Sequence, residues 1–370
     1  MNKPEARPAR PYFSSGPCAK PPGWAPEKLD TRSLGRSHRS ALGKQRLQYC
    51  IDLMREMLAV PDSHRIGIVP GSDTGAFEMA MWTMLGQRAV TALAWESFGE
   101  GWVIDAVKQL RLDPTIIRAD YGELPDLSQL DWSRDVLFTW NGTTSGVRVP
   151  DADWIPDNRE GLSFADATSA VFAYPIDWAK VDVATFSWQK ALGGEGAHGV
   201  LILGPRAVER LEGFTPDRPL PKLFRLTKNG KLNEGIFKGE TINTPSMLAV
   251  EDAIFALEWA KSVGGLDGMI ARTAANAAAL DGIVQARDWL GYLAKDPANR
   301  SKTSVCLTVD GADAKQMAKL LEAEGAAYDI AGYRDAPPGL RIWCGATVNS
   351  EDIEALGPWL DWAFEETRNS

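Results

Sequence analysis

The sequence predicts an α/β fold: a large domain on a mostly parallel, seven-stranded-type sheet with helices on both faces, then a smaller C-terminal α+β domain. Three observations carry that prediction. Between about residues 65 and 205, β-rich runs closed by turn residues alternate with stretches of helical spacing. Beyond about residue 265 the order becomes helix, strand, helix, strand, helix. The polar residues capable of chemistry fall just after the strand-like runs, at the sheet edge where α/β folds hold ligands.

Taken in order, the lead "MNKPEARPARPYFSSGP" is rich in proline and arginine and lacks the apolar centre of an export signal. Residues 1–13 are therefore expected to be flexible, with order beginning near Phe13. "RIGIVPG" reads as a strand entering a glycine turn, and "GAFEMAMWTML" has helical spacing. "VTALAWE" is a strand and "GWVIDAVKQL" a helix. "DVLFTWNG", "GLSFADAT", "VDVATFSW" and "GVLILG" are short buried strands. Residues 206–244 read as loop-rich. A helix then starts near Pro245 and stops at Gly264–Gly265, where glycine ends it. A helix over about 266–286, the strand "TSVCLTV", the helix "DAKQMAKLLEAEG", the strand "GLRIWCG" and a last helix from about Ser350 complete the chain. The division is placed near 255–265, giving a large domain over 14–258 and a small one over 259–370.

Composition narrows the function. The chain has 370 residues, 44% of them hydrophobic and 24% charged, and a net charge of −9. That balance argues against a nucleic-acid surface or an anionic membrane as partner. It leaves room for small anionic ligands held by a local arginine cluster. No apolar run reaches the roughly 20 residues that a membrane helix needs. Four scattered cysteines and three histidines, without metal-ligand spacing, point to no metal site and to a reducing, cytoplasmic setting.

The stretch "TFSWQKALGGEGAHGVLIL" carries most of the chemistry. It places one lysine, Lys190, at the mouth of a strand and follows it with small residues, clearing room for a planar ligand. A desolvated lysine has a depressed pKa and attacks aldehydes, which suits a Schiff base with pyridoxal 5′-phosphate. That reading requires four further parts. Asp166, at the end of "LSFADAT", can hold the ring nitrogen protonated, though an isolated aspartate there would suit a turn or helix cap equally well. "IVPGSDTGAFEMA" offers a strand, a glycine turn and a helix N-terminus for a phosphate. Asp73 stands awkwardly in that turn. Its N–H is expected to serve the anion while its side chain turns away or caps the helix. Trp102 or Phe98 can form an aromatic lid, and Thr143 or Thr144 can anchor the ring hydroxyl.

"SWQK", Asp166 upstream and "NTP" at 243–245 together resemble the class V, fold-type I aminotransferases, over nearly the entire chain from about Ser14. Within that class the chain is similar to the branch that forms O-phosphoserine. The resemblance implies Lys190 as the Schiff-base lysine, Gln189 as a phosphate-side contact, Asp166 as the pyridinium partner and Thr143, with Thr144 as the other register, as the hydroxyl ligand. It implies Trp102, or else Phe98, as the stacking aromatic, with Asp73 and Thr74 at the two phosphate-cup positions. Asn243 and Thr244 would reach the cofactor phosphate of the neighbouring subunit, making the active unit a homodimer. His38 and Arg39 would meet the substrate, Arg341 its α-carboxylate, and Arg334 its phosphate, although Tyr333 stands where the branch carries histidine.

The implied reaction passes an amino group from L-glutamate to 3-phosphohydroxypyruvate, giving 2-oxoglutarate and O-phospho-L-serine for serine biosynthesis. Some members of the branch also accept a related keto acid on the route to pyridoxine. Alanine–glyoxylate transamination, or cofactor binding without turnover, is the alternative. Desulfuration would need a cysteine on a mobile loop, and a Rossmann nucleotide site would need a glycine fingerprint after the first strand. Neither is present.

Overall fold

The computed structural model describes residues 2–368. Its main sheet contains seven strands: β1 (Arg65–Pro70), β2 (Val90–Ala94), β3 (Thr115–Arg118), β4 (Asp135–Thr139), β5 (Ser163–Asp166), β6 (Val183–Ser187) and β7 (His198–Leu203). They lie in the order β1-β7-β6-β5-β4-β2-β3. The pairs from β6 across to β3 are parallel, whereas β7 is antiparallel to both β6 and β1. One strand thus runs against the other six, in keeping with a mostly parallel sheet.

Strands β4 to β7 are buried along their whole length, as expected where helices cover both faces. Alternate residues feed two apolar clusters. Leu137, Phe164, Val183 and Leu201 enter one, with Phe77, Met81 and Leu211; Phe138, Ala165, Ala184 and Val200 enter the other, with Leu47, Met54 and Leu257. The helices that supply those partners are α1 (Ala41–Leu58), α2 (Ser72–Met84), α3 (Ser97–Ile104), α4 (Pro205–Gly213) and α5 (Met247–Ser262). Two of them depart from expectation. α4 opens the stretch expected to be loop-rich, because Pro205 starts its first turn and Ala207 and Leu211 bury one face. α3 begins five residues before Trp102 and gives way at Asp105 to a π-helical turn ending at Gln109, so regular helix spans only half of "GWVIDAVKQL".

After α6 (Gly265–Gln285), β8 (Leu290–Tyr292), β9 (Ser304–Val309) and β10 (Leu340–Trp343) form an antiparallel sheet, accompanied by α7 (Ala314–Ala323) and α8 (Ser350–Thr367). The N-terminal segment is laid across this region. Trp359 Nε1 donates to Ala6 O at 2.7 Å, Arg10 N to Asp352 Oδ1 at 3.0 Å, Tyr328 N to Pro11 O at 2.8 Å and Trp343 N to Phe13 O at 3.0 Å. It then crosses to the main sheet, where Cys18 N donates to Gln189 O at 2.8 Å.

Carboxylates at the two edges of the main sheet are treated differently. At the amino edge, Asp135 pairs with Arg210 at 2.7 Å, and Asp182 with Arg159 and Arg206 at 3.0 Å each. These buried charges are neutralised in place. The carboxyl edge holds Asp73, Glu96 and Asp166, all buried, and none forms an ion pair among the described residues. Uncompensated carboxyls at that edge mark the candidate site.

Candidate active site

β5 and β6 are parallel neighbours in register, with Asp166 opposite Thr185. Asp166 therefore ends its strand beside the segment that leads to Lys190. Past Ser187 the chain turns sharply, with Gly193 N donating to Lys190 O and Gly194 N to Trp188 O, both at 2.9 Å. The turn sends the lysine side chain inward, where Nζ donates to Ser15 O. Gly16 has to be glycine: a Cβ there would overlap Nζ and lie 2.9 Å from Cε, and φ is +140°. Lys190 is 9% exposed. Burial is the main cause that lowers its pKa, Arg341 acts the same way, and Cys18, Asp166 and Glu96 oppose it.

Lys190 opens into a cavity of about 310 Å³ that is also lined by Asp73, Thr74, Phe98, Trp102, Thr143, Asp166 and Gln189. Asp166 accepts from Trp102 Nε1 at 3.0 Å and from Thr168 N at 3.1 Å. Trp102 is 8% exposed and packs on Phe77 with ring centres 4.5 Å apart. Phe98 stands nearer the mouth, 38% exposed and 5.7 Å from the Tyr333 ring. Thr143 Oγ1 donates to Ser169 at 2.9 Å at the cavity wall, whereas Thr144 Oγ1 is committed to Glu96 at 2.8 Å. Glu96 also caps α3 through Gly99 N at 2.7 Å, and burial pushes its carboxyl up to about 7.

α2 starts at the cavity. Gly71 forms its N-cap at φ +87° without a side-chain cap, so the first N–H groups are free to meet an anion. The expected orientation of Asp73 is corrected here. Its side chain neither caps the helix nor turns away; it is buried in the cavity wall beside Asp166. The reason is helical phase: Asp73, Ala76, Phe77 and Ala80 form one buried stripe at spacings of three, four and seven.

The residues present suit pyridoxal 5′-phosphate. Asp73 Oδ1, Thr139 Oγ1, Asn141 Oδ1, Thr168 Oγ1 and Gln189 Oε1 are buried atoms without a hydrogen-bond partner, and all belong to residues lining this one cavity. Leaving so many polar atoms unpaired is costly unless a polar ligand meets them. The amine, the carboxylate and the free helix N-terminus match an aldehyde, a ring nitrogen and a phosphate.

Other predicted residues lie elsewhere. Arg341, on β10, has a buried Nε without a partner and lies 5.5 Å from the Tyr333 ring, which also meets Phe98 and Arg334. Arg334 is exposed beside Asp335 at 3.4 Å. His38, Arg39, Asn243 and Thr244 do not line the cavity. Arg39, Asn243 and Thr244 are exposed and His38 is half-buried; Arg39 acts electrostatically on Glu240, which Lys44 meets at 2.8 Å. Asn141, Thr139, Thr168, Ser72 and Pro17 line the cavity without having been anticipated. Asn141 carried a readable signal, standing at a strand end within "WNGTTSG". The Ser15–Pro17 segment carried none, being remote in sequence.

Three comparisons bear on this site. A family model described as aminotransferase class-V matches residues 105–343. The chain is 58% identical to phosphoserine aminotransferase of Methanosarcina barkeri over 365 residues, covering 98% of this chain and 99% of that one. Its fold is shared with the crystal structure of a phosphoserine aminotransferase from Cytophaga hutchinsonii, at TM-score 0.83 and 20% identity over 96% of this chain and 98% of the other. It is shared too with a pyridoxal-phosphate-bound phosphoserine aminotransferase from Trichomonas vaginalis, at TM-score 0.76 and 19% identity over 95% of this chain and 99% of the other.

Proposed function

The chain belongs to the class V aminotransferases and, within them, to the phosphoserine aminotransferase family; from that premise we infer how its residues carry an amino group from L-glutamate to 3-phosphohydroxypyruvate, giving 2-oxoglutarate and O-phospho-L-serine. The observation that carries the reading is that the Lys190 amine and the Asp166 carboxylate, on adjacent strand ends, open into one cavity with the N-terminus of α2. Pyridoxal 5′-phosphate, when bound, supplies the aldehyde that takes up the amino group and the ring that spreads charge away from the substrate Cα.

Each residue then has a physical task. Asp166 holds a proton at the ring nitrogen. Lys190 Nζ would take the proton from the amino acid Cα and deliver it to the carbon of the cofactor that carries the amino group, the reverse shift serving the second half-reaction, and burial keeps that amine nearer neutral pH than an ordinary lysine. Thr143 would anchor the ring hydroxyl, since it lines the cavity and Thr144, turned to Glu96, does not. The N–H groups of Asp73 and Thr74, with Gln189, hold the phosphate. Trp102 would stack on the ring and Phe98 would narrow the mouth. Arg341 binds the α-carboxylate, for which a guanidinium offers two parallel N–H bonds.

His38, Arg39, Asn243 and Thr244 serve the site of a second subunit. Their positions outside their own cavity support a homodimer in which each chain completes the other's site. Arg334 together with the partner's histidine and arginine receives the substrate phosphate. A cytoplasmic setting, and a division into large and small domains near residue 258, belong to the same proposal; α5 runs through that point. No helix among the described residues is long and apolar enough to cross a membrane.

The test is direct. Purified protein with glutamate and 3-phosphohydroxypyruvate is expected to release 2-oxoglutarate and O-phosphoserine in equal amounts. Borohydride is expected to fix the cofactor on a Lys190 peptide, and Lys190→Ala is expected to lower turnover by about 10²- to 10⁴-fold or more. Failure to form O-phosphoserine, with active transfer to other keto acids, would overturn the substrate assignment.

A further inference from the structure

Asp73 is an unusual occupant of an anion site. Its carboxyl is 6% exposed, it forms no ion pair among the described residues, and Oδ1 accepts no hydrogen bond. Its nearest titratable neighbour is another carboxyl, that of Asp166, and the hydroxyls of Thr168 and Thr185 flank it. Asp166 is the better solvated of the two by hydrogen bonds, since Trp102 Nε1 and Thr168 N donate to it. Two carboxylates confined together, with no cation paired to either, cannot both ionise cheaply, and the proton stays on the one with fewer donors. Burial first and the Asp166 charge second hold that proton on Asp73, outweighing the opposing pull of the Thr185 and Thr168 hydroxyls.

We propose that Asp73 remains protonated and donates a hydrogen bond to Asp166, acting as a positioning residue that fixes the carboxylate facing the cofactor ring. The proposal deepens the cofactor reading above and rests on Asp166 facing the ring nitrogen. It resolves the presence of an acid beside a phosphate cup: a neutral carboxyl does not repel the phosphate. It also spares Asp166 a like-charged neighbour, while the shared proton tempers its pull on the ring nitrogen. The other charged groups around Asp166 are Glu96, from the start of α3, and Lys190, from beyond β6.

The experiment compares holoenzyme variants Asp73→Asn and Asp73→Ala through the pH midpoint of the visible cofactor band and the dissociation constant for pyridoxal 5′-phosphate. Asparagine keeps a donor and carries no charge, so midpoint and affinity are expected to stay close to wild type. Alanine removes the donor and is expected to displace the midpoint by about one pH unit. An infrared difference spectrum of wild type against Asp73→Asn is expected to contain the carbonyl stretch of a protonated carboxyl, and it needs no alanine variant.

If Asp73→Asn moves the midpoint as far as alanine does, or binds the cofactor about tenfold more tightly, Asp73 is ionised and the proposal falls. It falls equally if neither variant moves the midpoint, or if the infrared band is missing. Absence of any visible band in the wild type would instead overturn the cofactor reading, a distinct result.

Discussion

Arg341 shows what one side chain is asked to do. Its buried Nε has no partner, and its charge reaches Lys190, yet it is absent from the cavity lining proper. On the proposed reading, an arginine placed this way meets what enters rather than what resides. Arg341→Ala is expected to raise KM for glutamate about 10- to 100-fold, the worth of a charge-assisted pair, while leaving the cofactor's spectrum unchanged. Loss of the cofactor band in that variant would refute the assignment. At this scale much was readable: Lys190 and Asp166 announce themselves as polar residues at strand ends among small neighbours. The direction of Asp73 was readable too, from its place at the head of the Ala76–Phe77–Ala80 stripe, but its hydrogen-bonding character suggested a cap. Ser15 and Gly16 were not readable, because what selects them is a lysine about 175 positions away.

At the scale of elements, α3 depends on a single acid. Glu96 caps the helix that carries both Phe98 and Trp102 and holds Thr144 besides. Burial favours its neutral form, so the folded chain keeps that proton up to about pH 7, while an unfolded chain releases it near 4.5. In the range between them the folded state binds more protons, so stability falls as pH rises from the lower value to the upper, by about 3 kcal/mol in all. Melting temperatures of the cofactor-free protein are expected to decline over that range, and to decline less steeply in Glu96→Gln; parallel curves would show that Glu96 does not titrate there. The strands and most helices were legible from their apolar runs and periodicity. The reversed direction of β7 was not, since a strand buried on both faces reads the same either way. The π turn after α3 likewise leaves no mark in residue spacing.

At the scale of the whole molecule, function belongs to pairs of chains if, as proposed, Arg39 and Asn243 complete a partner's site. Lys190→Ala and Arg39→Ala homodimers should each be nearly inactive, for different reasons. Mixing them with subunit exchange is expected to restore about one quarter of wild-type activity, because half the dimers are hybrids and each hybrid has one intact site. Absence of any recovery, with exchange verified by mass, would place Arg39 outside the partner's site. The N-terminal segment has another consequence, one of timing. Residues 6–18 touch β10, α8 and the turn that bears Lys190, so the roof over that amine is held up by chain that the ribosome makes long after the segment itself. During synthesis the pocket would stay open until α8 emerges, and a nascent chain halted before that helix should retain no vitamin.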